Sequence, residues 1–430
     1  MSISQNFPNT RPSLNLNFAR SKTLDPRITF IRTQTGSEAS YVDESGIIRY
    51  ASADEPRFDH DPETGRCLGL MIEEQQTNLL PYSVVSSTGW TISNSTLTAN
   101  DATAPDGTNT AARIQVHSPG SSNGYVAVLN LSVTSGTEYT FSFYVKSQSG
   151  SSGTWRINIY DNGGDNIGHH RTSVNVTGEW TRVSYSYTPT SGTINVYISD
   201  DRDNTGSISD AYVWGAQLES DKDASSYIPT SGGTKTRNAD NVWMSDISDF
   251  FNPSQGTSVI KFSFRFDGDY NNPFRDLFAF RDNTKSELMG VRGNSNSSQF
   301  HFSGYTTLFD DSDSSGNGDF SWLTPTTTRN LQHTVAVSYA STYFRMYRND
   351  ETSFSSTNTN YGIGKAITDE YIPHINPSTG ITTSNFTSLG FGSGDTTSTT
   401  NSKINCNIES FAYYPSEVGV DNIKTFTRDQ

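Results

Sequence analysis

The chain has 430 residues, 32% hydrophobic and 12% aromatic, with a formal charge of −15 at pH 7. The aromatic share excludes a disordered chain, and the absence of Lys/Arg clusters excludes a nucleic-acid partner and docking on an anionic bilayer. Two cysteines, Cys67 and Cys406, exclude a disulfide scaffold and a zinc site built on cysteine pairs, and no run of about 18 apolar residues is present to insert into a membrane.

Residues 1–25 read as extended and polar, with Pro8 and Pro12 inside the stretch and Pro26 after it, and without the basic and apolar regions of a secretory signal. The alternating runs Ile28–Thr33 and Gly46–Ala53 read as strands, with a turn signal at Tyr41–Gly46. Asp59, His60 and Asp61 follow, with Glu63 close by, the residue types of a metal or acid–base site. No second histidine lies near, and "HDPETGR" spells a turn with Pro62 at its second position and Gly65 closing it, so a connector is expected there. Gly69–Leu80 is too short for periodicity to separate strand from helix.

From Trp90 to Ile228, eight or nine runs alternate apolar with polar residues, separated by Gly, Asn, Asp and Ser. That pattern predicts a two-sheet antiparallel sandwich of jelly-roll type. Ser226–Asn241, punctuated by Pro229, Gly232 and Gly233, reads as a link. Further β runs reach about Thr427, with a helix expected in "SEVGVDNIKTFTRD". The fold class is therefore all-β.

Little in the chain points to catalysis. His169 and His170 are adjacent and would face opposite sides of a strand, so they cannot hold one ion; an exposed loop pair is expected. There is no G-x-S-x-G and no phosphate-cradling loop. The acidic groups Asp200, Asp201, Asp203, Asp210 and Asp310, Asp311, Asp313, Asp319 read as solvated loops rather than a glycosidase pair. "DSDSSG" (311–316) opens like a calcium loop, but Trp322 stands where the bidentate glutamate belongs. Sugar binding needs aromatic rings near hydrogen-bonding side chains. Of the candidates Trp155, Tyr160, Trp180, Trp243 and Trp322, we select Trp155, Tyr160 and Trp322 as the platform and read Trp90, Trp180 and Trp214 as core.

Three stretches then resemble a family of tailed-bacteriophage virion proteins, the head and tail fibres: "RPSLNLNFARSKTLDPRITFIR", the run from Tyr41 to Ser83, and "VWGAQLESDKDASSYIPTSGGTKTRNAD". Together they span the first 240 residues. Trp90, "APDGTNTAARI" and "DAYVWGAQLE" resemble a carbohydrate-binding-module jelly roll; "QHTVAVSYASTYFRMYRND" and "IESFAYYPSEVGVDNIKTF" resemble a laminin-G or concanavalin-like sandwich. These resemblances imply a β-rich virion-anchoring segment at 1–80, a jelly roll at 81–235 and a second β-sandwich at 236–430. They imply a non-enzymatic fibre or decoration protein, made in the host cytoplasm and mounted on capsid or tail. Its partners would be other virion proteins and host-surface polysaccharide, and its state a homo-oligomer, as a trimer. No cofactor is implied beyond structural calcium, with Asp210 as its ligand. The alternatives are a secreted lectin-like protein and a polysaccharide depolymerase.

Overall fold

The computed structural model describes residues 11–33, 36, 39–117, 124–163, 168–200, 206–265, 275–282, 288–296, 299–306, 320–324, 331–340, 343–349, 386–392 and 405–418. In chain order its first elements are β1 (Leu14–Asn17), the single-turn α1 (Phe18–Ser21), β2 (Ile28–Ile31), β3 (Ala39–Val42), β4 (Ile48–Ala51), β5 (Phe58–His60), β6 (Cys67–Ile72) and β7 (Gln76–Asn78). The middle supplies β8 (Thr91–Ser93), β9 (Ser95–Ala102), β10 (Ala111–Val116), β11 (Tyr125–Ser132), β12 (Tyr139–Ser147), β13 (Gly153–Asp161), β14 (Gly168–Val176), β15 (Thr181–Tyr187), β16 (Thr193–Asp200) and β17 (Asp210–Glu219). The rest are β18 (Lys235–Arg237), β19 (Asn241–Met244), β20 (Gln255–Phe264), β21 (Arg275–Asp282), β22 (Leu288–Asn296), β23 (Gln299–Thr306), β24 (Phe320–Thr324), β25 (Gln332–Ala340), β26 (Tyr343–Asn349), β27 (Phe386–Phe391) and β28 (Cys406–Tyr414). The described residues are almost entirely β, as the alternating pattern predicts.

Strands β8–β17 form the expected sandwich. Its two five-stranded sheets run β14-β13-β16-β11-β8 and β15-β12-β17-β10-β9. Ile114, Phe141, Phe143, Trp155, Ile157, Ile159, Val196 and Val213 fill the space between them, each contributed by the inward parity of its strand.

The second sandwich is composite, and here the expected boundaries at 80 and 236 change. One seven-stranded sheet runs β26-β25-β20-β28-β6-β5, with β1 also on β28; the other runs β2-β19-β27-β21-β22-β23-β24. Leu14 lies opposite Tyr413, Ile72 opposite Cys406 and Phe30 opposite Val242. Leu16, Phe18, Phe30, Leu70 and Ile72 share one core with Phe262, Phe280, Leu389 and Phe411. The N-terminal residues are thus not a separate anchoring segment. Strands of three to six residues cannot bury their apolar faces alone, and these bury them against the C-terminal half. The jelly roll is an insertion into this sandwich. Its entry and exit strands, β7 and β18, pair with each other, Asn78 opposite Lys235, and Tyr82 bridges Ser231.

The stretch from Asp59 to Asp61 divides between strand and turn. Asp59 and His60 belong to β5 and are buried: Asp59 accepts from Val42 N at 2.8 Å and pairs with Arg265, and His60 Nδ1 meets Val42 O at 3.0 Å. Only Asp61 makes the expected turn, its Oδ1 accepting from Glu63 N and Thr64 N, with Gly65 at φ +68° closing it. Gly69–Leu80 resolves into β6 and β7. The helix expected at 416–429 falls almost wholly outside the described residues.

Candidate functional site

The two outer faces of the inserted sandwich have different fates. On the β15-β12-β17-β10-β9 side, the β3–β4 ribbon lies across the sheet. Ile48 joins Ala104, Ala111, Trp214 and Tyr227 in a small core, with Val42, Tyr50, Tyr144 and Trp180 against it. Ser40 Oγ donates to Tyr227 O at 2.7 Å, and Ile48 N to Pro105 O at 3.0 Å. This cover buries Trp214, as expected, and leaves Trp180 half-buried with its indole N–H donating to Thr103 O.

The opposite face, on β14-β13-β16-β11-β8, carries a row of rings above a polar floor. Parity on β13 sends Trp155, Ile157 and Ile159 into the core and Arg156, Asn158 and Tyr160 outward. On β14, His169 lies opposite Tyr160, Arg171 opposite Asn158 and Ser173 opposite Arg156. β16 adds Asn195 and Tyr197. A register shift in the β11–β16 pairing brings Tyr125 opposite Asp200. The Tyr160 and His169 rings are 4.5 Å apart, His169 and Tyr197 6.0 Å, and Tyr197 and Tyr125 5.4 Å, the last pair edge to face.

Beneath them the Asp200 carboxylate, with no exposed surface, accepts from Asn158 Nδ2 at 2.9 Å and Arg171 Nε at 3.0 Å, with His169 Nδ1 at 3.9 Å. Asn158 Nδ2 also meets His169 Nδ1 at 2.7 Å. Beside Tyr160, the amides of Asn195 and Asn162 bond each other reciprocally at 3.0 Å, and Asn195 accepts from Asn130 N at 2.7 Å. Such networks fix rotamers, so the rings above are held in place before anything binds.

The sequence-selected residues are scattered by the fold. Tyr160 lies on this face, half-buried. Trp155 does not: it is 1% exposed in the sandwich core, its indole N–H donating to Ile198 O at 2.6 Å, so no sugar can stack on it. The loop before it suggested exposure, but strand parity turns its ring inward. Trp322 belongs to β24 of the composite sandwich, with Phe302 opposite; its side chain lies outside the described residues, as does the 310–319 acidic run. Asp210 opens β17 on the other sheet and presents both oxygens to Arg113, at 2.8 and 2.6 Å, with Gln115 Nε2 at 3.2 Å. The expected calcium ligand is therefore the acid of a bidentate ion pair, and no group of three His, Cys, Asp or Glu that could hold a metal ion occurs among the described residues. His169 and His170 are strand residues, not a loop pair: they face opposite sides of β14, and His170 stacks on Tyr187 at 4.1 Å. Tyr125, Asn158, Arg171 and Tyr197 escaped the sequence reading, and His169 and Asp200 entered it only as loop residues. For Asn158 and Tyr197 the signal was the polar residue recurring at every second place in "WRINIYD" and "TINVYIS".

A family model described as a carbohydrate binding domain matches residues 85–199, which take in the inserted sandwich from β8 to β16 but not β17. Among solved structures, the CBM22-1 xylan-binding domain from Paenibacillus barcinonensis Xyn10C is similar at 14% identity and a TM-score of 0.25, covering 36% of this chain and 94% of that one. The CBM22-1–CBM22-2 tandem of the same protein covers 79% and 96% at 10% identity and a TM-score of 0.26. Mouse laminin alpha1 domains LG4-5 cover 68% and 88% at 12% identity and a TM-score of 0.17. No curated protein matches. The inserted sandwich is a carbohydrate-binding-module-like domain.

Proposed function

We propose that the inserted sandwich binds a polysaccharide chain across the face built by Tyr125, Tyr160, His169 and Tyr197, and that the protein displays it on a tailed-phage particle as a fibre or decoration protein. The observation that carries the binding reading is the ring row over its hydrogen-bonded floor, on the one broad face of the sandwich that the β3–β4 ribbon leaves uncovered. The rings of Tyr125, Tyr160 and His169, with the buried Tyr197 packed between them, meet the apolar faces of sugar units, while Arg171 and the Asn162–Asn195 pair offer donors and acceptors to hydroxyls. Asp200 supports these groups through its bonds to Arg171 and Asn158, which fits binding rather than turnover.

The virion reading rests on the three sequence stretches within the first 240 residues. On a particle, weak contacts to host-surface glycans gain strength from many copies, here as a homo-oligomer with a trimer as the expected state. The test is a titration of soluble host-envelope polysaccharides into the wild-type protein and Tyr160→Ala. Wild-type binding that falls about tenfold or more in the variant, at unchanged melting temperature, supports the face. Equal binding by both proteins, or none by the wild type, defeats it.

A further inference from the structure

Where the inserted sandwich joins the composite one, charged groups are buried together. Arg32, Arg57 and Arg237 have no exposed surface, and the Arg265 side chain is 12% exposed. Three carboxylates answer them. Asp240 pairs with Arg32 at 2.8 Å and Arg57 at 2.6 Å, Glu73 pairs with Arg57 at 2.7 Å, and Asp59 pairs with Arg265. Arg32 also donates to Ser52 O and Glu55 O, and Arg57 to Ser40 O and Ser226 Oγ.

Arg237 stands apart. Among the described residues its Nε, Nη1 and Nη2 have no hydrogen-bond acceptor. Its nearest ion-pair contact is Nε to Glu73 Oε2 at 3.6 Å, and that oxygen already accepts from Arg57 Nη1 and Ser226 Oγ. Asp240, the next carboxylate within electrostatic range, is taken by Arg32 and Arg57; Glu219, a further one, accepts from Ser225 N and Ser225 Oγ, and burial holds its carboxyl above the usual range. Among the described residues Arg57 Nε makes no hydrogen bond either, and Arg265 Nε has only the ion-pair contact with Glu73 Oε1 at 3.4 Å. A guanidinium cannot shed its proton at any ordinary pH, and a buried one without an acceptor is costly. The carboxylates around Arg237 thus lie at ion-pair range or beyond with oxygens engaged by other donors, and what its three nitrogens lack is an acceptor within hydrogen-bond reach.

We propose that the Arg237 guanidinium binds a small inorganic anion of the halide class, buried at the joint between the two sandwiches. Glu73, Asp240 and Glu219 already surround the guanidinium, so a small singly charged anion fits there where a multiply charged phosphate or sulfate would be repelled. Arg237 ends β18, opposite Gln76 of β7, the two strands that carry the chain out of and into the insertion. An anion held there by the native joint and not by the unfolded chain stabilises the joint through linkage.

The test uses the full chain. Crystals soaked in bromide are examined for an anomalous peak within hydrogen-bond reach of Arg237, and melting is followed at fixed ionic strength while chloride replaces gluconate. A bromide peak at Arg237, with a melting temperature that climbs a few degrees and saturates as chloride rises, supports the site. In Arg237→Met the chloride dependence should vanish; should that variant not fold, the anomalous map of the wild type decides by itself. No peak at Arg237 overturns the proposal and leaves internal water as the acceptor.

Discussion

Trp155 and Tyr160 stand five residues apart on β13, and the odd separation gives them opposite roles. Trp155→Ala should leave a core cavity and cost about 3–5 kcal/mol of stability, read by denaturant unfolding. Tyr160→Ala should cost little stability and act on ligand binding alone. Both residues are visible in the sequence as aromatics in a β run. Which of them is free was not legible, because one residue of uncertainty about where a strand begins exchanges its two faces. Asp200 shows the same limit in reverse: it reads as a solvated loop acid, yet a register shift buries it under the ring row. A third residue-scale expectation concerns pH. Burial, reinforced by the nearby charge of Glu74, pushes the Asp221 carboxyl up from 3.8 to about 8. The native state then binds a proton that the unfolded chain gives up near pH 4. The stabilisation is full below that value and is lost as pH climbs to about 8, at no more than about 1.4 kcal/mol per pH unit. Asp221→Asn should flatten that decline in melting curves taken between pH 5 and 9; an unchanged decline would show that Asp221 is not its source.

Elements were easier to read than their partners. The strand runs of the inserted sandwich and the turn at Asp61 follow from alternation and from local side-chain-to-backbone bonds, both carried in short stretches of sequence. The pairing of β6 with β28 joins residues more than 300 positions apart, and nothing local encodes it. Gly69 of β6 is one trace of it. It sits at φ +104°, and a Cβ there would collide with the backbone of Ile408 and Glu409. Gly69→Ala should therefore destabilise the composite sandwich by about 2 kcal/mol or more, measured by thermal unfolding. A neutral outcome would mean that β6 does not lie against β28 as described.

At the scale of the whole molecule, the first 80 residues were expected to form a separable anchor. Instead β1, β2, β5 and β6 complete the two sheets of the composite sandwich, and β3–β4 covers one face of the insertion. Deleting residues 1–80 should therefore unfold the composite sandwich, seen as loss of protease resistance in the 236–418 region; survival of that region would restore the idea of an independent anchor. The same cover directs ligand to the other side. The most direct measurement is a crystal structure of the full chain soaked with an oligosaccharide that it binds in solution. Sugar rings lying across Tyr125, Tyr160 and His169 are the expected result. Sugar seated on the composite sandwich instead, with that face bare, would contradict the assignment.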